Sequence, residues 1–208
     1  MSFLLRRAPL LAAAVLPLSL CASLRLQDRS INDLADPVLQ AEIGQLGYYP
    51  ESLGHDTIVP LNTLTLRSWS AGHVEFADQG TRVRIEAQPF HDGRWVKHTR
   101  LGIVFDGHPI IGWSAGEEHR RVSRVELVLD GVVVDVPSSA YTDLFDPHLC
   151  EAGPVGPTLF TAVARSTDGA RLYVLAQIGE GAEARMVTWV FERGHYRFRI
   201  VDGFHFSG

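Results

Sequence analysis

Gly112-Trp113-Ser114-Ala115-Gly116 fits the pattern G-x-S-x-G, in which a sharp strand-to-helix turn lifts a serine hydroxyl above the sheet of an α/β-hydrolase. An apolar run, Pro109 to Gly112, precedes the serine, and Asp143 or Asp168 followed by His195 reproduces the chain order of such a triad. The residues after it fit less well. Glu117-Glu118-His119-Arg120-Arg121 is polar throughout, has no face to pack on a sheet, and runs straight into an apolar segment. No His-Gly-Gly sequence precedes the motif to supply oxyanion donors. Ser114 is therefore the catalytic candidate of a serine-hydrolase reading, against a simpler reading of Gly112 to Gly116 as a plain turn.

The nine histidines make no close pair that would set two ligands on one helix or strand face. His148 and Cys150 are the nearest soft ligands to each other. A structural zinc site takes four ligands and a catalytic one three, so that pair alone builds neither. No metal and no other cofactor is expected.

Residues 1–23 read as a secretory signal peptide: Arg6 and Arg7, then a stretch from Ala8 to Leu20 that is apolar apart from Pro9, Pro17 and Ser19. Leu18-Ser19-Leu20-Cys21 resembles the bacterial lipobox, in which the cysteine is lipidated and becomes the first residue of the mature chain; Leu20 departs from the small residue usual before it. Cleavage near Ala22 or Ser23 is the alternative. Either way the expected destination is the periplasm or cell envelope, and the only membrane contact expected is a lipid on Cys21. In an oxidising compartment Cys150 is then left without an intramolecular partner, which is best met by burial.

The whole chain carries 24 acidic and 19 basic residues for a net charge of −5, and loss of the leader leaves 17 basic residues and −7. With no separate block of Lys or Arg, nucleic acid is excluded as a partner. A protein partner fits better. Arg197 and Arg199 fall beside Val190 and Thr188 on the expected outer face of the last hairpin, a mixture suited to protein interfaces. Trp69, Trp95 and Trp113 lie near turns or strand ends, where exposed aromatics anchor a protein or stack on a sugar.

The elements that must position these residues read as antiparallel β. Asp-Gly recurs at 92–93, 106–107, 130–131, 168–169 and 202–203, and Asp-Gly between alternating apolar residues is a hairpin signal because a type I′ turn needs positive φ at both central positions. A turn at Asp130-Gly131 pairs Leu129 with Val132, Leu127 with Val134 and Val125 with Val136, all on one face. Glu126 then faces Asp135 on the other side and calls for a cation nearby, with Arg124 the nearest. A turn at Arg193-Gly194 pairs Phe191 with Tyr196, Trp189 with Phe198 and Val187 with Ile200, and sets His195 opposite Glu192. Further strands are expected at Ile58 to Leu66, Val74 to Phe76, Arg82 to Gln88, Leu101 to Phe105, Ile110 to Trp113, Leu159 to Ala164 and Leu172 to Ile178.

Helices are few. Ser30 to Leu46 allows one or two short turns around Pro37, and Ser138 to Phe145 reads as a short helix capped by Ser138. Cys150 to Pro157 reads as the longest loop. Trp-Ser-Ala-Gly occurs at 69–72 and again at 113–116, but position 157, one period on, is Pro and no repeat continues. The expected fold is all-β, an antiparallel meander closing into a sandwich or curved barrel with one or two short helices. Residues 24–44 serve as a tether or packing arm and 45–208 form one domain.

This build resembles small exported β-domains of bacterial envelopes, including inhibitors and immunity proteins that neutralise a toxin or hydrolase. The expected function is accordingly an exported, non-enzymatic domain that binds another protein. The alternatives are a serine hydrolase using Ser114 and a carbohydrate or small-ligand binder using the loop tryptophans.

Overall fold

The computed structural model describes residues 28–46, 59–91, 96–99, 102–114 and 118–203. The leader with Cys21, and Trp95, lie outside the described residues. Ser30 caps a 3-10 turn, Ile31–Asp33: its Oγ accepts from Asn32 N–H while the Asp33 carboxylate accepts from Ser30 N–H. Helix α1 (Pro37–Leu46) follows, with Pro37 at its first position and Asp36 Oδ1 accepting from the N–H groups of Val38 and Leu39. Pro37 thus starts the helix.

The remaining elements are strands. They run β1 (Leu61–Thr63), β2 (Thr65–Ser70), β3 (His73–Asp78), β4 (Thr81–Phe90), β5 (Val96–Thr99), β6 (Gly102–Phe105), β7 (His108–Pro109), β8 (His119–Leu129) and β9 (Val132–Val134). After the 3-10 turn Ser138–Ala140 come β10 (Pro147–His148), β11 (Cys150–Gly153), β12 (Gly156–Leu159), β13 (Thr161–Ser166), β14 (Arg171–Ile178), β15 (Arg185–Glu192) and β16 (His195–Gly203). One sheet has the order β1-β13-β14-β15-β16, with β10 pairing the far end of β14 beyond β13; a second has the order β2-β3-β4-β8-β9. All the strand pairs are antiparallel.

Asp106-Gly107, Asp130-Gly131 and Arg193-Gly194 have positive φ at both residues, as a type I′ turn demands, and so does Gln79-Gly80 between β3 and β4. Asp168-Gly169 instead sits in a longer loop between β13 and β14, and Asp202-Gly203 closes β16. The stretch read as the longest loop is a hairpin, β11–β12, in which Gly153 pairs with Gly156 around Pro154-Val155. Ser138 to Phe145 holds only the 3-10 turn, with Pro137 at the cap position and no side-chain cap. Ile110 to Trp113 forms no strand; Ile111 makes a lone parallel bridge to Leu144.

The two large sheets face each other across one core in which Phe76, Ile85 and Leu127 meet Val174, Val187 and Trp189. The first sheet is covered on its other face too. There α1 and the turn before it bring Leu34, Ile43 and Leu46 against Tyr173, Leu175, Val190 and Ile200. This double covering is why β14 and β15 read as nearly continuous apolar runs rather than alternating ones. An ionic latch holds the arm: Glu42, buried on α1, accepts from Tyr173 Oη and lies 3.1 Å from Arg171 Nε, while Asp36 lies 3.4 Å from Arg171 Nη1.

The Asp130-Gly131 hairpin pairs Leu129 with Val132 and Leu127 with Val134 as expected, but β9 ends at Val134 and the expected pair of Val125 with Val136 is not among its strand pairs. Val125, Leu127 and Val134 are buried, but Val132 is exposed beside the tip. The last hairpin departs from expectation. Glu192 faces His195 and Phe191 faces Tyr196, but a β-bulge at Arg197 then shifts the pairing by one, so Val190 meets Phe198 and Trp189 meets Arg199. A one-residue shift reverses the facing of every later side chain. Phe198 and Ile200 turn toward α1, and Arg199 enters the core with only 4% of its side chain exposed.

Four hydrogen bonds engage the buried guanidinium. Its two terminal nitrogens donate to the two oxygens of Asp143 at 2.5 Å each, Nε donates to Asp28 at 2.7 Å, and Nη1 also reaches Ala140 O at 3.2 Å. Burial by itself would lower its pKa, but the bonds to Asp143 and Asp28 outweigh that and hold it above the ordinary arginine value. The expected outer stripe of Arg197 and Arg199 therefore does not exist. Arg199 is internal, Val190 and Thr188 are buried, and only Arg197 is exposed, 3.5 Å from Glu192. Removing one partner of a buried ion pair leaves a charge uncompensated, so Asp143→Ala should lower unfolding free energy by about 3 kcal/mol in urea denaturation. Arg197→Ala, at an exposed pair, should change it by less than about 0.5 kcal/mol.

Candidate functional site

Four chain segments converge at one end of the sandwich: Ile110–Ser114, the start of β8, Asp143–His148, and the residues after β14. Gly112 is the crossing point. Its φ is +84°, and a Cβ there would lie 2.4 Å from Ile178 Cγ2, 2.5 Å from Phe145 O and 2.8 Å from Gly179 N. Gly179, with φ +75°, is placed as tightly against Gly112. The first glycine of G-x-S-x-G is thus required by two backbones touching, since any side chain would force them apart.

Ser114 follows that crossing in a loop rather than at the head of a helix, and the next regular element among the described residues is β8. Its Oγ donates to Gly112 O at 3.3 Å and accepts from Glu180 N–H at 3.1 Å. The triad partners read from chain order are elsewhere: Asp143 is bound to Arg199, Asp168 bonds Ser166 and Ala170 N–H in the β13–β14 loop, and His195 faces Glu192.

A different pair stands beside the serine. Asp146, itself at φ +47°, accepts from three neighbours: Ser114 N–H and His119 Nδ1 on Oδ2 at 2.9 and 2.8 Å, and Arg120 N–H on Oδ1 at 2.9 Å. Trp113 stacks on His119, centroids 3.6 Å apart and planes inclined by 24°. Phe90 and Phe145 pack edge-on and tilted against the Trp113 ring. The carboxylate orients the imidazole through Nδ1, and Nε2 has no hydrogen bond among the described residues. Such a pair is the base half of a nucleophile-activating triad. No bond joins His119 to Ser114 Oγ, so the relay is not assembled among these side chains.

His148 and Cys150 point apart. His148 presents Nε2 to Glu151 at 2.8 Å and Nδ1 to Glu180 at 3.5 Å, and its ring lies 3.9 Å from that of Phe160. Cys150 donates its thiol to Ser70 O at 3.2 Å. Among the described residues no three His, Cys, Asp or Glu side chains converge on a point that a metal would occupy.

Near the Cys150 hairpin a half-open groove of about 290 Å³ runs into the body between the two cores. Leu46, Leu64, Phe76, Phe160, Leu175 and Met186 supply most of its walls, with Gln177 a polar point. One exposed apolar residue lines it and another stands on a strand next to the β11–β12 hairpin. Leu159, 38% exposed, lines the groove and is the register partner of Cys150; Trp69, 40% exposed, precedes Ser70, whose carbonyl holds the Cys150 thiol. Val155 stands fully exposed at the hairpin tip. Trp113, by contrast, is committed to His119. On the outer face of the second sheet, Glu126 is met by both Arg124 and Arg82, so two cations answer the acidic side of the β8–β9 hairpin.

No family model matches the chain, and neither does any curated protein or solved structure.

Sequence reading singled out Ser114 and Trp69 but missed His119, Asp146 and the groove. His119 lay in a run read only as polar, and the groove is lined by residues from Leu46 to Met186 that share no local pattern. Burial pushes the Cys150 thiol above its ordinary pKa. Iodoacetamide at pH 8 should therefore modify Cys150 at least about tenfold more slowly in the folded protein than in denaturant, as mass mapping will read.

Proposed function

We propose that this chain is an exported, non-enzymatic β-domain that binds another protein in the periplasm or at the cell surface, through the groove at the β11–β12 end. The observation that carries the reading is Leu159, a large apolar side chain left exposed in the lining of the apolar groove, with exposed Trp69 on the strand whose Ser70 carbonyl holds Cys150, the register partner of Leu159. Exposed apolar groups gathered at a concave site mark interaction surfaces, whereas scattered ones do not. A tryptophan near the groove suits an anchor, because it buries a large rigid area at small entropic cost. The apolar h-region after Arg6 and Arg7 supports export, and Cys21 is the residue for lipid attachment if the protein stays at the membrane.

The test is site-specific photo-crosslinking in the intact envelope from position 159, with position 197 on the far hairpin as control. A discrete adduct from 159 alone is expected, and it should fall at least about fivefold in Trp69→Glu. Equal crosslinking from both positions, or no adduct at 159, overturns the groove as the docking surface.

A second reading has one observation in its favour, the Asp146–His119 pair bound to the same carboxylate oxygen as Ser114 N–H. Rotation of the Ser114 side chain away from Gly112 O would bring its hydroxyl into play as a nucleophile. That reading requires a fluorophosphonate to label the folded protein and the label to vanish in Ser114→Ala and His119→Gln. An unlabelled folded protein ends it.

A further inference from the structure

Exposed carboxylates stand close to the groove. Phe160 and Gln177, which line it, are the ring partner and the register partner of His148. His148 in turn sits between Glu151 and Glu180, whose side chains are 59% and 67% exposed. Glu183 adds a third exposed carboxylate in the 3-10 turn after β14. A cation on this side, Arg185 beside Met186, is held to the backbone of the 3-10 turn, its Nη1 donating to Ala182 O and Ala184 O at 3.1 and 2.8 Å. His148 itself is largely covered. An approaching molecule therefore meets carboxylates beside an apolar slot.

Resting on the proposed binding function, we infer that the partner enters as an extended segment carrying a large apolar side chain flanked by Lys or Arg. The apolar side chain fills the groove against Phe76, Phe160 and Met186, where about 290 Å³ gives room for an aromatic or a pair of aliphatic groups. The flanking cations, on stems long enough to leave the slot, reach Glu151 and Glu180. The apolar contact supplies affinity; the carboxylates set the orientation and reject acidic segments. A partner with the opposite flanking charge would set like charges side by side near the groove.

The experiment is an amide NMR titration of the ¹⁵N-labelled chain with three synthetic peptides, GKGFLGKG, GEGFLGEG and GKGSSGKG. GKGFLGKG should shift the amides of Phe160, Ala162 and Gln177 and bind at least about fivefold more tightly than either other peptide. In the Glu151→Gln/Glu180→Gln double variant, which alters only exposed side chains, its advantage over GEGFLGEG should fall at least about threefold. Equal binding of the lysine and glutamate peptides overturns the charge inference while leaving the groove as a docking site. No shift at the groove with any peptide overturns both. Groove shifts that grow with protein concentration in the absence of peptide would assign the slot to a second copy of this chain, and overturn the inference in a different way.

Discussion

A guanidinium buried opposite Trp189 must be answered by carboxylates from other parts of the chain, and that demand organises the molecule. Arg199 draws in Asp143 from the segment between the sheets and Asp28 from the N-terminal arm, and shares the Ala140 carbonyl with Trp189 Nε1. One charged side chain thereby ties the arm, the inter-sheet segment and the last strand to a single point. A hydrophobic residue there would pack as well or better, because desolvating an ion pair offsets much of its attraction. In the observed register Arg199 turns inward to meet Asp143 and Asp28. The bulge at Arg197 is the local distortion that this register requires.

Once Asp143 is fixed, the residues after it have little freedom. Leu144 bridges Ile111, Phe145 bridges Arg121, and Asp146 takes the Ser114, His119 and Arg120 donors. Gly179 N–H binds Asp146 O, which presses Gly179 onto Gly112 and requires both to be glycine. The convergent end of the sandwich follows from this sequence of contacts. It is also where β10 leaves His148 between two carboxylates and β11 turns outward with Cys150, so the groove and the carboxylates near it are built on a braced corner rather than on free loops.

The β6–β7 and β8–β9 hairpins were legible because each rests on a local rule. Asp92-Gly93 lies outside the described residues; of the other four Asp-Gly pairs two form tight turns, and the β8–β9 pairs that form are those its valines specify. The β3–β4 turn was not, since Gln79-Gly80 has positive φ at both positions without the usual side chain at the first. In the last hairpin the alternation favoured Trp189 with Phe198, and nothing within that hairpin shows that a carboxylate 56 positions away rewards Arg199 for turning inward. The same blindness applies to the site. Ser114 stood out by motif, but the partners it has are set by Asp146, and the groove joins Leu46 to Met186 across sheets whose packing no short window contains.

This also explains why G-x-S-x-G is a poor guide in an all-β chain. In a hydrolase its glycines clear room for a strained turn into a helix, whereas here Gly112 clears room for Gly179 and the serine hydroxyl accepts from Glu180 N–H. The same glycine therefore satisfies two unrelated steric demands, and the deciding feature is what the chain does next. The charged run from Glu117 to Arg121 cannot pack as a helix on either sheet. Its second half becomes the opening of β8, with His119 turned onto Trp113 and Arg120 N–H onto Asp146, and the motif is absorbed into the brace that holds the corner.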